Sequence, residues 1–273
     1  MTKTNWTASC LIIGDEILSG KTQDSNSFCL ARFLFDLGIE LKRIEVVPDN
    51  EQEIGEAAKR LSANHDFVFT SGGIGTDRKS QHAPLLFVTH DDITYSSIAK
   101  GFGLSMKLHD ETWKLVQQLK ERQQSGAVNS TKASIEGYKR LATFPSPGEH
   151  IRAHAKIPIP VVVVNTNVYI LPGIPRLFQA LLHSLSDHLK QRIPFYRRQV
   201  ATKQSETLIA DILSQLQDDV QRHHIKIGSY PVSGDSNGIK VVISIVGKDL
   251  GKVDQITKLV VAKIDGYLLP AKL

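Results

Sequence analysis

Three short stretches of this chain carry residue types at spacings that chemistry can use. Ser71-Gly72-Gly73-Ile74-Gly75 is a run of small residues that directly follows the apolar segment Phe67-Val68-Phe69-Thr70. In open α/β sheets such turns lie at the carboxyl ends of strands, where glycines let the backbone approach phosphate and the next helix favours an anion. Asp91 and Asp92, within Thr89-His90-Asp91-Asp92-Ile93-Thr94, are two adjacent carboxylates that could hold a hard cation bridging phosphate oxygens. Asp15 follows Gly14, and Asp49 follows Pro48, each after an apolar run of its own. Taken together these residues describe a phosphate-and-metal site. Each also has a plainer use: the glycines turn the chain, Asp15 caps a helix or turn, Asp49 serves the turn after Pro48, and His90 is an ordinary loop histidine.

The elements that must position these residues follow from hydrophobic periodicity. Residues 8–13 predict a first strand, and Asp24-Ser25-Asn26 offers capping side chains for a helix with Leu30, Phe33, Leu34 and Leu37 on one face. Gly38 stops that helix. A strand over 40–47, a helix over 51–61 and a strand from Phe67 come next. This β-α-β-α-β alternation predicts a parallel sheet covered by helices. Right-handed crossovers then bring the loops holding Asp15, Asp49 and the Gly72/Asp92 pair to one edge. Helices are expected over 95–102 and 109–124, followed by a loop-rich passage at 145–160. Two strands, 161–164 and 168–171, flank the Asn165-Thr166-Asn167 turn. Leu171-Pro172-Gly173-Ile174-Pro175 is a sharp strand-to-helix turn, with Pro175 suited to the first turn of a helix reaching Ile193.

Composition breaks at Pro194, which divides the chain into a domain at 1–193 and a small α+β subdomain at 194–273. In the latter, strands at 195–202, 225–230 and 239–246 and helices at 205–221 and 250–264 form a βαββα unit without a catalytic cluster. A packing or dimerisation module is the expectation, and the second of these would make the protein a homo-oligomer. With 273 residues, 41% hydrophobic and 22% charged, the chain has ordinary globular composition. It contains no run of eighteen apolar residues, so no membrane span is expected. Residues 1–7 are polar and lack a signal core, and Cys10 and Cys29 read as reduced core residues, which together imply a cytoplasmic protein. The formal charge of +5 suits anionic ligands, but the basic residues are dispersed, which argues against a nucleic-acid partner.

Gly14-Asp15-Glu16-Ile17-Leu18, Pro48-Asp49, Ser71-Gly72-Gly73-Ile74-Gly75, Thr89-His90-Asp91-Asp92-Ile93-Thr94 and Leu171-Pro172-Gly173-Ile174-Pro175 occur in the order of the MoaB/Mog molybdopterin-binding-like family. The chain most resembles the branch formed by the amino-terminal part of CinA proteins and the similar domain of eukaryotic FAD synthases. That resemblance covers nearly the whole chain and implies a three-layer α/β fold with a mostly parallel sheet. It also implies a small-molecule ligand, either a nucleotide or a pterin. Mog-type members adenylate molybdopterin, whereas the CinA-like and FAD-synthase-linked domains are associated with metal-dependent cleavage of nucleotide pyrophosphates such as ADP-ribose or FAD. By position, the resemblance makes Asp49 and Asp92 the catalytic carboxylates. Ser71, Gly72, Gly73, Gly75, Thr94, Pro172 and Gly173 become the phosphate and nucleotide contacts, and Asp15, Asp91 and Asp92 the ligands of a divalent metal ion, Mg2+ or a transition metal.

The chain departs from the family at one place. The family runs from its Gly-Gly-x-Gly turn through a proline directly into Thr-His-Asp-Asp, whereas here residues 76–88 intervene and the proline is missing. Pro84-Leu85-Leu86-Phe87-Val88 is strongly apolar for a surface loop. The segment reads either as a loop folded over the site or as retained non-coding sequence. A non-catalytic scaffold, its site disabled by the insertion, is the corresponding alternative to an enzyme.

Overall fold

The computed structural model describes residues 5–74, 92–124, 132–152, 154–155, 157–189, 193–233 and 238–270. The chain divides into two compact units, Met1–Phe35 with Ile39–Lys190 and Asp36–Gly38 with Gln191–Leu273.

The first unit is built on a six-stranded sheet. Its strands are β1 (Trp6–Ile13), β2 (Ile39–Val47), β3 (Phe67–Ser71), β6 (Glu149–Ile151), β7 (Val161–Val164) and β8 (Val168–Leu171), in the order β2-β1-β3-β8-β7-β6. The pairs β2/β1, β1/β3 and β3/β8 are parallel, and β8/β7 and β7/β6 are antiparallel. The mostly parallel sheet expected from the alternation is therefore present. A separate two-stranded sheet joins β4 (Ser105–Leu108) to β5 (Thr143–Ser146). The helices are α1 (Asp15–Leu18), α2 (Asn26–Asp36), α3 (Glu51–Asn64), α4 (Thr94–Gly101), α5 (Asp110–Gln124), α6 (Lys132–Arg140) and α7 (Pro175–Ser184).

β3, β7 and β8 are buried at every position, as strands covered on both faces must be, and β7 and β8 read as unbroken apolar runs, while β3 ends in the buried Thr70 and Ser71. On one face Leu11, Ile13, Val68 and Ile170 pack with Ile54, Ala58 and Leu61 of α3 and Ile98 of α4. On the other, Phe67, Phe69 and Tyr169 form an aromatic row, with Phe69 and Tyr169 stacked at 5.1 Å. Burying each side chain of this size contributes about 1.5–3 kcal/mol. At one point α3 and α4 approach backbone to backbone: a Cβ on Gly101 would lie 2.7 Å from the carbonyl oxygen of Gly55. That backbone contact sets the position of α4.

Several elements depart from the expectation. α7 ends at Ser184 rather than Ile193, because residues 185–189 turn through bonds three residues apart, such as Leu185 N–H to the Leu182 carbonyl. The passage read as loop-rich holds the end of β5 and all of β6, and α6 and β4 lie in segments with no assigned element.

The second unit comprises β9 (Tyr196–Thr202), α8 (Glu206–Gln221), β10 (Lys226–Pro231), β11 (Val241–Gly247), α9 (Leu250–Lys263) and β12 (Tyr267–Leu268). Its antiparallel sheet runs β10-β11-β9-β12. Val200, Ile209, Leu213, Leu216, Ile243, Ile245, Val253 and Val260 form its core. The expected βαββα order gains a final strand: Asp265, at φ 47°, and Gly266 turn the chain so that Tyr267 and Leu268 pair with Ala201 and Val200.

Candidate functional site at the carboxyl edge of the parallel strands

β1 and β2 end side by side, and the Gly14 N–H donates to the Val47 carbonyl at 3.1 Å. The next residues clasp one another. The Asp15 N–H donates to Asp49 Oδ2 at 3.0 Å, and the Asp49 N–H reaches Asp15 Oδ1 at 3.4 Å. Asp15 is exposed and Asp49 half-buried. The two carboxylates therefore act as reciprocal turn caps, the plainer role allowed by the sequence, and the same bonds hold them together at the rim.

The glycine turn after β3 is tied to its surroundings by close approach. Gly72 has φ 117° and Gly73 φ 59°, a region that favours glycine. A Cβ on Gly72 would fall 1.9 Å from the Ile13 carbonyl oxygen, and one on Gly73 would fall 2.1 Å from Thr94 Oγ1. Packing alone thus requires glycine at both places, with or without a phosphate. The Thr94 hydroxyl donates to the Gly72 carbonyl at 2.9 Å and its N–H to the Gly73 carbonyl at 3.2 Å. These bonds pin the start of α4 to the turn. Asp92 stands two residues before Thr94, no more than about 7 Å away along the chain. Gly75 and Asp91, together with residues 76–90, lie outside the described residues.

Pro172 and Gly173 lead from β8 into α7, which carries Pro175 in its first turn as expected. A Cβ on Gly173 would sit 3.0 Å from Gly72 Cα, so these two turns touch. Asn26, the first residue of α2, joins them. Its Nδ2 donates to Ser71 Oγ and to the Gly173 carbonyl, both at 2.8 Å. From the sequence, Asp24, Ser25 and Asn26 all stand as candidate caps. In fact Asp24 is the cap: its Oδ1 accepts the backbone N–H of Asn26 at 2.9 Å and of Ser27 at 3.2 Å. An amide whose acceptors lie 45 and 147 residues away leaves no mark on local sequence.

Electrostatics follow burial. The Tyr95 phenol is pushed far up by burial and further by the nearby Asp92 carboxylate, which keeps it neutral. Tyr95 packs edge-on against Phe144 at 5.1 Å, and Phe144 meets His109 and His150. Burial, then Asp24, raises the Cys10 thiol far above its usual value, so this free cysteine is an inert core residue.

Among the sequence-derived candidates, the structure thus gathers Asp15, Asp49, Ser71, Gly72, Gly73, Thr94 and Gly173 at one edge, with Pro172 buried beside them and Asp92 at its margin. This is the strand-end arrangement in which open α/β sheets take their ligands. Two family models match in succession: "Probable molybdopterin binding domain" over residues 9–191 and "FAD synthase, middle domain" over residues 194–271. The chain belongs to the molybdopterin-binding domain family, in the branch that joins this domain to the FAD synthase middle domain. A "Probable FAD synthase" of Caenorhabditis elegans is 32% identical over 244 residues, covering 82% of this chain and 44% of the relative. That of Caenorhabditis briggsae is 29% identical over 239 residues, covering 82% and 43%. The chain therefore spans less than half the length of these relatives. A solved structure of the protein CinA from Thermoplasma acidophilum, of unknown function, is 26% identical with a TM-score of 0.55, covering 69% of this chain and 100% of that one. Among the described residues no helix is long and apolar enough to cross a membrane.

Proposed function

We propose that the strand-end edge of the first unit binds a nucleotide pyrophosphate, of the class of FAD, ADP-ribose or a nucleoside triphosphate, and hydrolyses it with a divalent cation. One observation carries the reading: the carboxylate clasp and the glycine turn both stand at the end of β1, where Gly72 packs on the Ile13 carbonyl and Asp15, two residues further on, is clasped to Asp49. The matches to FAD synthases and to their middle domain support putting FAD first among the ligands.

The donor set suits a hard cation. Mg2+ commonly takes one or two carboxylates, keeps several waters and completes its shell with substrate phosphates. A group of three or more His, Cys, Asp or Glu is absent among the described residues, and a site of that kind does not require one. Asp15 and Asp92, with Asp91, are the residues that would hold the ion, which when bound neutralises phosphate charge and lowers the pKa of a water. Asp49 would accept the proton of the attacking water as a bridging P–O bond breaks and two phosphate products separate. The glycine turn lets the backbone approach the phosphates, and Thr94 keeps that turn in register with Asp92.

The test is release of mononucleotides from FAD, ADP-ribose and ATP by purified protein with Mg2+ or Mn2+. Activity that needs both the metal and Asp92 supports the reading. A wild-type protein inactive on all three that binds molybdopterin tightly replaces it with pterin handling in cofactor assembly. A protein that binds none of these ligands is the scaffold alternative.

A further inference from the structure

We propose that Asn26 is the positioning residue of this site: its side-chain amide fastens the end of β3 to the turn before α7, making Gly72 and Gly173 one wall for the ligand's phosphates. The proposal rests on the nucleotide-binding reading above.

Asn26 is only 5% exposed. Its Nδ2 has two hydrogens, and each meets an acceptor on a different loop, Ser71 Oγ and the Gly173 carbonyl. Its Oδ1 is buried and has no hydrogen-bond partner among the described residues. An unpaired buried acceptor is costly, so Asn26 is a poor choice for stability alone. Capping does not account for it either, because Asp24 already serves the first amides of α2. What the position demands is a single nitrogen with two diverging donors. Aspartate lacks both donors, serine is too short to span the two loops, and leucine has none. The two turns it joins are in backbone contact, Gly173 against Gly72, and Gly72 is the residue packed on the Ile13 carbonyl. A displacement of about 1 Å at a reacting centre costs on the order of a hundredfold in rate, so loosening this joint should be visible in function.

Asn26→Asp keeps the size of the side chain and replaces the donor with an oxygen facing two oxygens. In hydrogen–deuterium exchange of the ligand-free protein, the segments around Gly72 and Gly173 should exchange about tenfold faster or more, with α3 and the second unit unchanged. In a flavin-fluorescence titration with FAD at pH 7.5, affinity should fall about tenfold or more. It should recover partly as the pH is lowered towards 5, because a protonated carboxyl regains one donor for the Gly173 carbonyl. The wild type should show no such recovery, and a general loss of stability would not produce one. Exchange at both turns equal to wild type overturns the role of Asn26. Wild-type protein that binds none of FAD, ADP-ribose and ATP overturns the nucleotide reading and leaves the exchange result to judge the joint. Should Asn26→Asp fail to fold, Ser71→Ala removes one of the two acceptors. It should speed exchange at the Gly72 turn, and unchanged exchange there overturns the proposal equally.

Discussion

The two units use the same apolar drive to opposite ends. In the first, β3, β7 and β8 are buried along their whole length, so the strands themselves offer little room for polar side chains. Parallel connection runs β1, β2, β3 and β8 in one direction, and the polar residues collect where these four stop. In the second, β11 turns the buried Val241, Ile243 and Ile245 to one face and the half-buried Val242 and Val246, with the buried Ser244 between them, to the other. Its antiparallel turns fall at both ends of the sheet, and its core is closed by side chains of α8 and α9. Parallel topology concentrates chemistry at one edge, and antiparallel topology disperses it. On this contrast the first unit should carry ligand and reaction, and substitutions in the core of the second should affect stability alone.

Asp92→Asn gives the largest expected effect. It removes charge while keeping volume, and loss of a positioned proton-transfer or metal-binding carboxylate costs about 10²–10⁴-fold in rate. Steady-state hydrolysis of FAD with Mg2+ measures it, with thermal unfolding expected to match the wild type. Full activity in the variant removes Asp92 from the site. The counterpart in the second unit is Ile243→Ala, at a fully buried position. It should cost about 2–5 kcal/mol of stability in denaturant unfolding. FAD affinity, measured where the variant remains folded, should not change. A matching loss of affinity would break the division of labour between the units.

The same contrast explains how far the sequence could be read. β1, α2, β2, α3 and β3 announce themselves by long apolar periodicity, and chain direction with crossover handedness then places Asp15, Asp49 and Gly72 together before any coordinate is known. β4, β5, β6 and β12 run only two to four residues, too few to establish a period of two, and β5 contains Pro145. Asn26 looks like a cap because it stands beside one. Its true partners are set by tertiary approach, as are the glycines at 55 and 101, where nothing in the local sequence shows that two helix backbones touch.

Gly101→Val tests that backbone contact at intermediate size. The new side chain would have to enter a space where even a Cβ lies 2.7 Å from the Gly55 carbonyl oxygen and 2.8 Å from its Cα. Overpacking of this kind costs about 1–3 kcal/mol. Because α4 begins at Thr94, a shift of the helix should also disturb the Thr94 bonds to Gly72 and Gly73. Reduced stability together with weaker FAD binding is expected, unlike the purely structural loss at Ile243. Weaker stability with unchanged affinity would show that Thr94 holds the turn independently of where α4 lies.

The smallest effect concerns protons. His150 of β6 stacks on His109 at 4.4 Å, lies 5.2 Å from Phe144, and has a buried Nε2 without a hydrogen-bond partner among the described residues. Burial, and then the neighbouring His109, hold its pKa below the ordinary histidine value. The unfolded chain, where histidine titrates near pH 6.5, therefore takes up this proton more readily than the folded one. The stability contributed by neutral His150 is complete above about pH 6.5 and declines as the pH falls from there through its lower folded pKa. The ring is partly exposed, so the decline should be no more than about 2–4 °C in Tm. His150→Phe keeps the stacking and cannot titrate, so its Tm should fall less than that of the wild type between pH 7 and 5.5. His223 of the second unit is also held low, by slight burial and by Lys252 and Arg222 against an opposing Asp249, but it lies at the surface. His223→Gln should leave the acid limb unchanged. If His223→Gln flattens that limb and His150→Phe does not, the acid sensitivity belongs to the second unit.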